Sequence, residues 1–206
     1  MMKHIFQKGK DTTKPTFLLL HGTGGNELDL IPLAGKIDED ASYLSVRGNV
    51  LENGMPRFFR RLAEGVFDEE DLIFRTKELN DFIDEASVKY GFDRGNVIAI
   101  GYSNGANIAG SLLFHYQDAL QGAILHHPMV PIKGIELPDL TGKSVFIGAG
   151  TNDPICSPLE SAELQSLLER ANVKVHLHWE SRGHSLTFEE VEAAAEWYKK
   201  SVMKNS

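Results

Sequence analysis

Short apolar runs alternate with longer amphipathic segments along the chain. Residues 16–20, 43–46, 97–100, 123–125, 145–147 and 173–177 form runs too short for most helices, several of them β-branched and bounded by glycine or turn residues. They read as buried strands, and residues 3–7 read as a further strand at the sheet edge. Between them, Leu72, Leu79, Phe82, Ile83, Ala86 and Tyr90 share one face of a helix predicted over 68–90. Phe188, Val191, Ala195, Tyr198 and Val202 do the same from residue 187 onward. Ser157 and Thr187 each stand three residues before a glutamate, Glu160 and Glu190, the reciprocal capping box that marks a helix start. Pro158 suits the first helical position.

Strand alternating with helix predicts a mostly parallel sheet with helices on both faces. No repeat, low-complexity tract or linker divides the sequence, so a single domain over 1–206 is expected. Ligands of such sheets bind outside the carboxyl ends of the strands, which directs attention to the residues just after each apolar run.

Composition narrows the function classes. Of 206 residues, 42% are hydrophobic and 24% charged, as in an ordinary globular protein. The net charge of −8 argues against a nucleic-acid binder, which needs a basic face. A single cysteine, Cys156, excludes an internal disulfide framework and a zinc-ribbon site, and is read as small core packing. Residues 1–14 carry scattered charge without the apolar core of a secretion signal, and the longest apolar stretches fall far short of a membrane span. A cytoplasmic protein is the expectation.

The chemistry begins after the run 97–100. Gly101-Tyr102-Ser103-Asn104-Gly105 leads into a helix-like run over 106–114, which is Gly-x-Ser-x-Gly in the strand–turn–helix context the motif requires. Side chains at the flanking positions would clash in so sharp an elbow. A serine hydroxyl needs a base to take its proton, and the base needs an orienting acid, in the chain order Ser, acid, His. Asp153 follows the run 145–147 and His184 follows the run 173–177, both at strand ends beside Ser103. Asp139 precedes its strand and Glu180 lies only four residues before His184, so both are weaker candidates for the acid.

Acyl transfer also needs two backbone N–H donors for the oxyanion. Asn104, after the nucleophile, supplies one, and Thr23 in the loop His21-Gly22-Thr23-Gly24-Gly25-Asn26 is the best-placed second. That loop lacks the spacing of a P-loop or a dinucleotide site. His176 and His178 share a strand face without a third ligand at useful spacing, so no metal is expected. His126 and His127 follow the run 123–125 and have either a pocket-lining or a structural role, with His127 carried as a candidate substrate contact.

His21-Gly22, Gly101-Tyr102-Ser103-Asn104-Gly105, Asp153-Pro154 and Gly183-His184 together resemble the phospholipase/carboxylesterase family of α/β-hydrolases, which includes acyl-protein thioesterases and small bacterial carboxylesterases. Arg47-Gly48, the segment 55–61, Glu64-Gly65-Val66-Phe67-Asp68 and His126-His127-Pro128-Met129 look most like its bacterial quinone-responsive branch. The resemblance implies an α/β-hydrolase fold, a serine hydrolase activity, and a homodimer as an open option. The sequence between the later strands leaves no room for a large cap domain, and the serine mechanism calls for no cofactor. Thioesterase members usually carry Gln after the nucleophile, where this chain has Asn104.

Residues 47–67 are the one irregular stretch long enough to cover a pocket, and they hold Arg57, Phe58, Phe59, Arg60, Arg61 and Phe67. Two readings of this stretch stand side by side. One is a pocket wall, with Arg47, Phe58 and Phe59 as candidate substrate contacts, an arginine meeting a polar end and a phenylalanine an acyl or aromatic group. The other is a surface loop whose phenylalanines anchor it to the core while its arginines pair with nearby acids. Met129 is a further candidate contact. The region 28–33 is a further candidate wall. Hydrolysis of a small carboxylic ester is the expected reaction. The alternatives are a thioesterase or lysophospholipase, a hydrolase of quinone-derived aromatic products, and a non-catalytic receptor on the same scaffold.

Overall fold

The computed structural model describes residues 2–203; Met1 and residues 204–206, which the expected domain span includes, lie outside the described residues. The chain opens with strands β1 (His4–Gln7) and β2 (Thr16–Leu20), helix α1 (Ile31–Ile37) and strand β3 (Ser42–Val46). Two small hairpins follow, β4 (Val50–Glu52) with β5 (Met55–Arg57) and β6 (Arg61–Ala63) with β7 (Val66–Phe67). Strand and helix then alternate through α2 (Glu69–Tyr90), β8 (Val97–Tyr102), α3 (Asn104–His115), β9 (Gly122–His126), β10 (Ser144–Gly150), α4 (Pro158–Arg170), β11 (Lys174–Glu180) and α5 (Phe188–Ser201).

Seven strands form one sheet in the order β1-β3-β2-β8-β9-β10-β11. Only β1 runs antiparallel to its neighbour; every other pairing is parallel. This is the α/β-hydrolase arrangement that the resemblance implies. All seven expected sheet strands are present. The stretch 47–67 is not irregular but folded into the two hairpins, and the region 28–33 enters α1. Its Leu30 makes no side-chain cap, so Pro32 near the helix start is the remaining sequence signal there.

Strand alternation divides the core in two. Leu18 and Leu20 of β2, Val97 and Ala99 of β8, and Val145 and Ile147 of β10 face the side covered by α2, α3 and α4. Phe17 and Leu19, Ile98 and Ile100, and Phe146 face the opposite side, where α1 and α5 pack against each other. Each buried Leu, Ile or Phe side chain contributes roughly 1.5–3 kcal/mol of transfer free energy, so both faces must be covered for the strands to persist.

Three helices start on side-chain caps: Asp68 accepts from Asp71 N, Ser157 from Glu160 N and Thr187 from Glu190 N. The expected boxes are only half formed. The Glu160 carboxylate accepts from Val130 N and Lys133 Nζ, and the Glu190 carboxylate turns into the core, so neither returns to its cap residue.

Helix α3 crosses the sheet at Gly105, where an added Cβ would stand inside the carbonyl oxygen of Leu20 and 2.6 Å from that of His21. In an open helix Gly→Ala gains up to about 1 kcal/mol. Here the sign inverts: Gly105→Ala is expected to lower stability by about 1–3 kcal/mol, read as a fall in urea midpoint at unchanged m-value.

Candidate active site

The turn from β8 to α3 forces Ser103 to φ 51° and ψ −113°, a conformation costly for a residue with a side chain. Gly101 makes the elbow possible, because a Cβ there would lie 2.6–2.7 Å from the backbone of Gly105 and Ala106. Ser103 N donates to His126 O (2.9 Å) and Ser103 O accepts from Asn107 N (2.9 Å), so the strained residue is held on both sides.

The strand ends deliver the other two groups. The Ser103 hydroxyl donates to His184 Nε2 at 2.9 Å, and His184 Nδ1–H donates to Asp153 Oδ2 at 2.7 Å. Asp153 Oδ1 accepts from Ile155 N (2.8 Å) and Cys156 N (3.0 Å). Burial works against the Asp153 charge, but those two amides and the imidazoles of His184 and His127 outweigh it and hold the carboxyl below its ordinary range. The Tyr102 hydroxyl donates to His184 O (2.6 Å), fixing the loop that carries the ring.

Ser103 opens onto a cavity of about 210 Å³ lined by Thr23, Arg57, Arg61, Phe67, Asn104, Met129 and His184 among others. Asn104 is the first residue of α3, whose amide has no intrahelical acceptor. Its side-chain Oδ1 accepts from Phe58 N at 2.7 Å, tying the elbow to the end of the first hairpin. In the glycine loop, Gly24 N donates to Pro56 O and Gly25 N to Gly22 O, while Thr23 Oγ1 accepts from Arg57 Nη1 at 2.6 Å. His21 supports this loop as a neutral ring. Burial lowers its pKa, Nε2 accepts from Gly48 N (3.0 Å) and Nδ1–H donates to Gly22 O (2.6 Å).

Four expected contacts lie elsewhere. Phe58 and Phe59 are 1% and 0% exposed and pack in the core, against His21 and Phe67, since their strand end turns both rings inward. Arg47 pairs with the buried carboxylate of Glu27, which needs a cation, and does not line the cavity. Arg57 and Arg61 take the wall position instead. His127 lies beneath the site with a fully buried side chain. Thr23, Asn104 and Met129 do line the cavity. Cys156 is buried, and that burial, with the charges of Asp153 and Glu160, pushes its thiol far up, as suits a packing role. His176 and His178 stack on Phe146, and His178 Nε2 meets Glu180.

Under the site runs a polar chain that sequence reasoning missed. His127 Nδ1 lies 2.9 Å from Asp153 Oδ2 and its Nε2 lies 3.0 Å from Glu190 Oε2, while Glu190 Oε1 accepts from His126 Nδ1. Glu190 is 0% exposed. Burial raises its pKa, yet the two histidines prevail and bring it down to about 2. Burial also opposes charge on His127, and the carboxylates of Glu190 and Asp153 more than offset this, so its pKa is raised. His127, Asp153 and His184 bring one polar atom each to within 4.8 Å of one another, the spacing of a hydrogen-bonded cluster. The Asp153 oxygen there already accepts from both rings.

A family model described as phospholipase/carboxylesterase matches residues 2–202. The chain belongs to this family. It is an enzyme of the family's carboxylic ester hydrolase class, on the α/β-hydrolase fold. It is 62% identical over 202 residues to "Putative hydrolase MhqD" of Bacillus subtilis (strain 168), covering 98% of this chain and 100% of that protein. A solved Bacillus cereus carboxylesterase is 74% identical, with a TM-score of 0.97, covering 98% of this chain and 95% of that one. YahD, solved with malic acid, is 32% identical with a TM-score of 0.93, covering 98% and 100%. Among the described residues of this family member, no helix is long and apolar enough to cross a membrane.

The buried chain makes stability depend on pH. Glu190, with its pKa lowered from 4.5 to about 2, contributes stability that is present above pH 4.5 and lost as pH falls through about 2. His127, with a raised pKa, contributes stability present below 6.5 and lost as pH rises through its folded value. Glu190→Gln is therefore expected to flatten the acid side. Urea midpoints taken between about pH 5 and pH 2.5 should fall less steeply than in wild type, and an unchanged slope would contradict this.

Proposed function

We propose that the enzyme hydrolyses small carboxylic esters through an acyl-enzyme on Ser103. The observation that carries this reading is the unbroken run Ser103 Oγ–His184 Nε2 (2.9 Å) and His184 Nδ1–Asp153 Oδ2 (2.7 Å) at the mouth of the cavity. In the first half-reaction Ser103 Oγ attacks the ester carbonyl and its proton passes to His184 Nε2. The carbonyl oxygen becomes an oxyanion facing the N–H groups of Thr23 and Asn104. The C–O bond then breaks, and the alcohol departs with the proton from His184. In the second half-reaction water gives its proton to His184 and attacks the acyl carbon, and Ser103 Oγ leaves with that proton as the acid is released. Each oxyanion donor of this type is worth roughly 10²–10³ in rate.

Cavity size favours a small acyl group, since about 210 Å³ holds little more than a short chain or one ring. Charge favours a polar end. Arg57 and Arg61 share the wall, and Glu52 is the carboxylate between them, accepting from Arg61 Nε and Nη2 at 2.9 Å and lying 3.8 Å from Arg57 Nη1. Two cations against one anion leave net positive charge facing the substrate. A solved relative held malic acid, a small dicarboxylic acid, which accords with an ester bearing an anionic group.

Turnover of p-nitrophenyl esters from acetate to decanoate is expected to peak at short chains and to fall about 10⁴-fold or more in Ser103→Ala. Activity rising toward decanoate would replace the small-ester reading with a lysophospholipase or acyl-thioesterase. Between p-nitrophenyl butyrate and mono-p-nitrophenyl succinate, the charged ester should be preferred. Arg61→Gln should remove that preference by raising its KM about tenfold, leaving the neutral ester nearly unchanged.

A further inference from the structure

Asp153 Oδ2 serves two imidazoles, and the second has no part in the scheme above. His127 reaches that oxygen from below while its other nitrogen reaches Glu190, in a region closed to solvent. Several local features accommodate this arrangement. His127 stands at φ 53°, a left-handed conformation rare for a residue with a large side chain, pinned by His127 N donating to Gly148 O (2.7 Å) and by the Cys156 thiol on His127 O (3.3 Å). Gly148 is bare where Glu190 passes, and a Cβ there would stand inside the carboxylate. Glu190 itself is drawn from the first turn of α5, a position that water or a capping bond would otherwise satisfy.

Proton counting defines the state of the chain. A carboxylate can only accept, so a ring bonded to one carboxylate at each nitrogen carries a proton on both. His127 is then an imidazolium between two anions, and the three groups together carry one negative charge, as a lone Asp153 would. The charge felt by His184 differs. The Asp153 oxygen that stabilises a proton on His184 is also hydrogen-bonded to a cation, which weakens its pull.

We propose that His127 is a positioning residue for the reaction: it shares the Asp153 oxygen that orients His184, anchors that oxygen to Glu190, and weakens that oxygen's hold on the proton that His184 takes up. The proposal rests on the Ser103–His184–Asp153 mechanism. The groups facing His127 are Asp153 from the turn after β10, Glu190 from α5, the Cys156 thiol ahead of α4, the His184 ring at 5.1 Å and the Tyr102 ring at 6.1 Å from the end of β8, while His126 at the end of β9 meets Glu190 in turn. His184 additionally shares its cavity with Arg57 and Arg61, which a change at His127 leaves in place. A merely structural tie between α5 and the sheet is served as well by apolar side chains, and it would not touch the pH profile.

His127→Asn removes the cation while keeping a residue type that tolerates the left-handed backbone and an amide N–H for Asp153. The acid limb of kcat/KM for a short p-nitrophenyl ester is expected to move about 0.5–1 unit to higher pH. A limb that stays in place or moves to lower pH, even with reduced kcat, overturns the proposal. A second reading needs no variant to fold and no substrate. In wild-type protein with ¹⁵N-labelled histidine rings, one histidine should keep both ring nitrogens protonated at about pH 8, where a free imidazole is neutral. If every ring has a bare nitrogen at that pH, the imidazolium is absent and the proposal fails. Failure of the ester mechanism instead would appear as activity that Ser103→Ala leaves intact.

Discussion

The carboxylate of Asp153 is the point on which the site hangs. Its Oδ1 takes the amides of Ile155 and Cys156, and its Oδ2 takes the rings of His184 and His127, so four donors converge on one buried side chain. Without that saturation the charge could not persist under the sheet edge, and His184 would have nothing to select its tautomer. The parallel sheet makes the convergence possible. β8 ends at Ser103, β9 at His126 and His127, β10 before Asp153 and β11 before His184, so four separate stretches of sequence meet at one end of adjacent strands.

The glycine-loop side of the cavity is held by different means. The glycine loop is held by His21 below it, by Pro56 O on Gly24 N, and by Arg57 on the Thr23 hydroxyl. Arg57 is 3% exposed, and its guanidinium also donates to Phe59 O at 3.1 Å. One buried cation thereby ties the glycine loop to the first hairpin and puts positive potential on the cavity wall. The hairpins β4–β5 and β6–β7 are what bring Arg57 and Arg61 there, so the small segment that covers the cavity also sets its charge.

Much of this was legible from residue pattern. Buried strands of a parallel sheet announce themselves as short β-branched runs, and Gly-x-Ser-x-Gly, with Asp153 and His184 after later strands, pointed to the groups that meet. What failed to show had physical causes. Glu190 fitted a capping box so well that its second use, 0% exposed and bonded to the two histidines at the end of β9, had no separate signal. Its one sequence trace is Gly148, a glycine inside a strand, which marks a close approach without saying by what. Arg47 and Arg57 cannot be ranked from composition, because the choice depends on which one a buried glutamate, Glu27, has already claimed. For Phe58 and Phe59 the sequence pattern left a pocket wall and a core anchor equally open, and only the fold decides for the anchor, with both rings buried.

The central claim is that Ser103 is a nucleophile activated by His184, and it can be tested without knowing the natural ester. A p-nitrophenyl alkylphosphonate transfers its phosphonyl group to an activated serine and releases p-nitrophenolate, with no demand on acyl-chain fit. The account predicts release of one p-nitrophenolate per chain, a single mass increment on the peptide containing Ser103, and neither in Ser103→Ala. Absence of release from folded wild-type protein, or an adduct on any other residue, would contradict it.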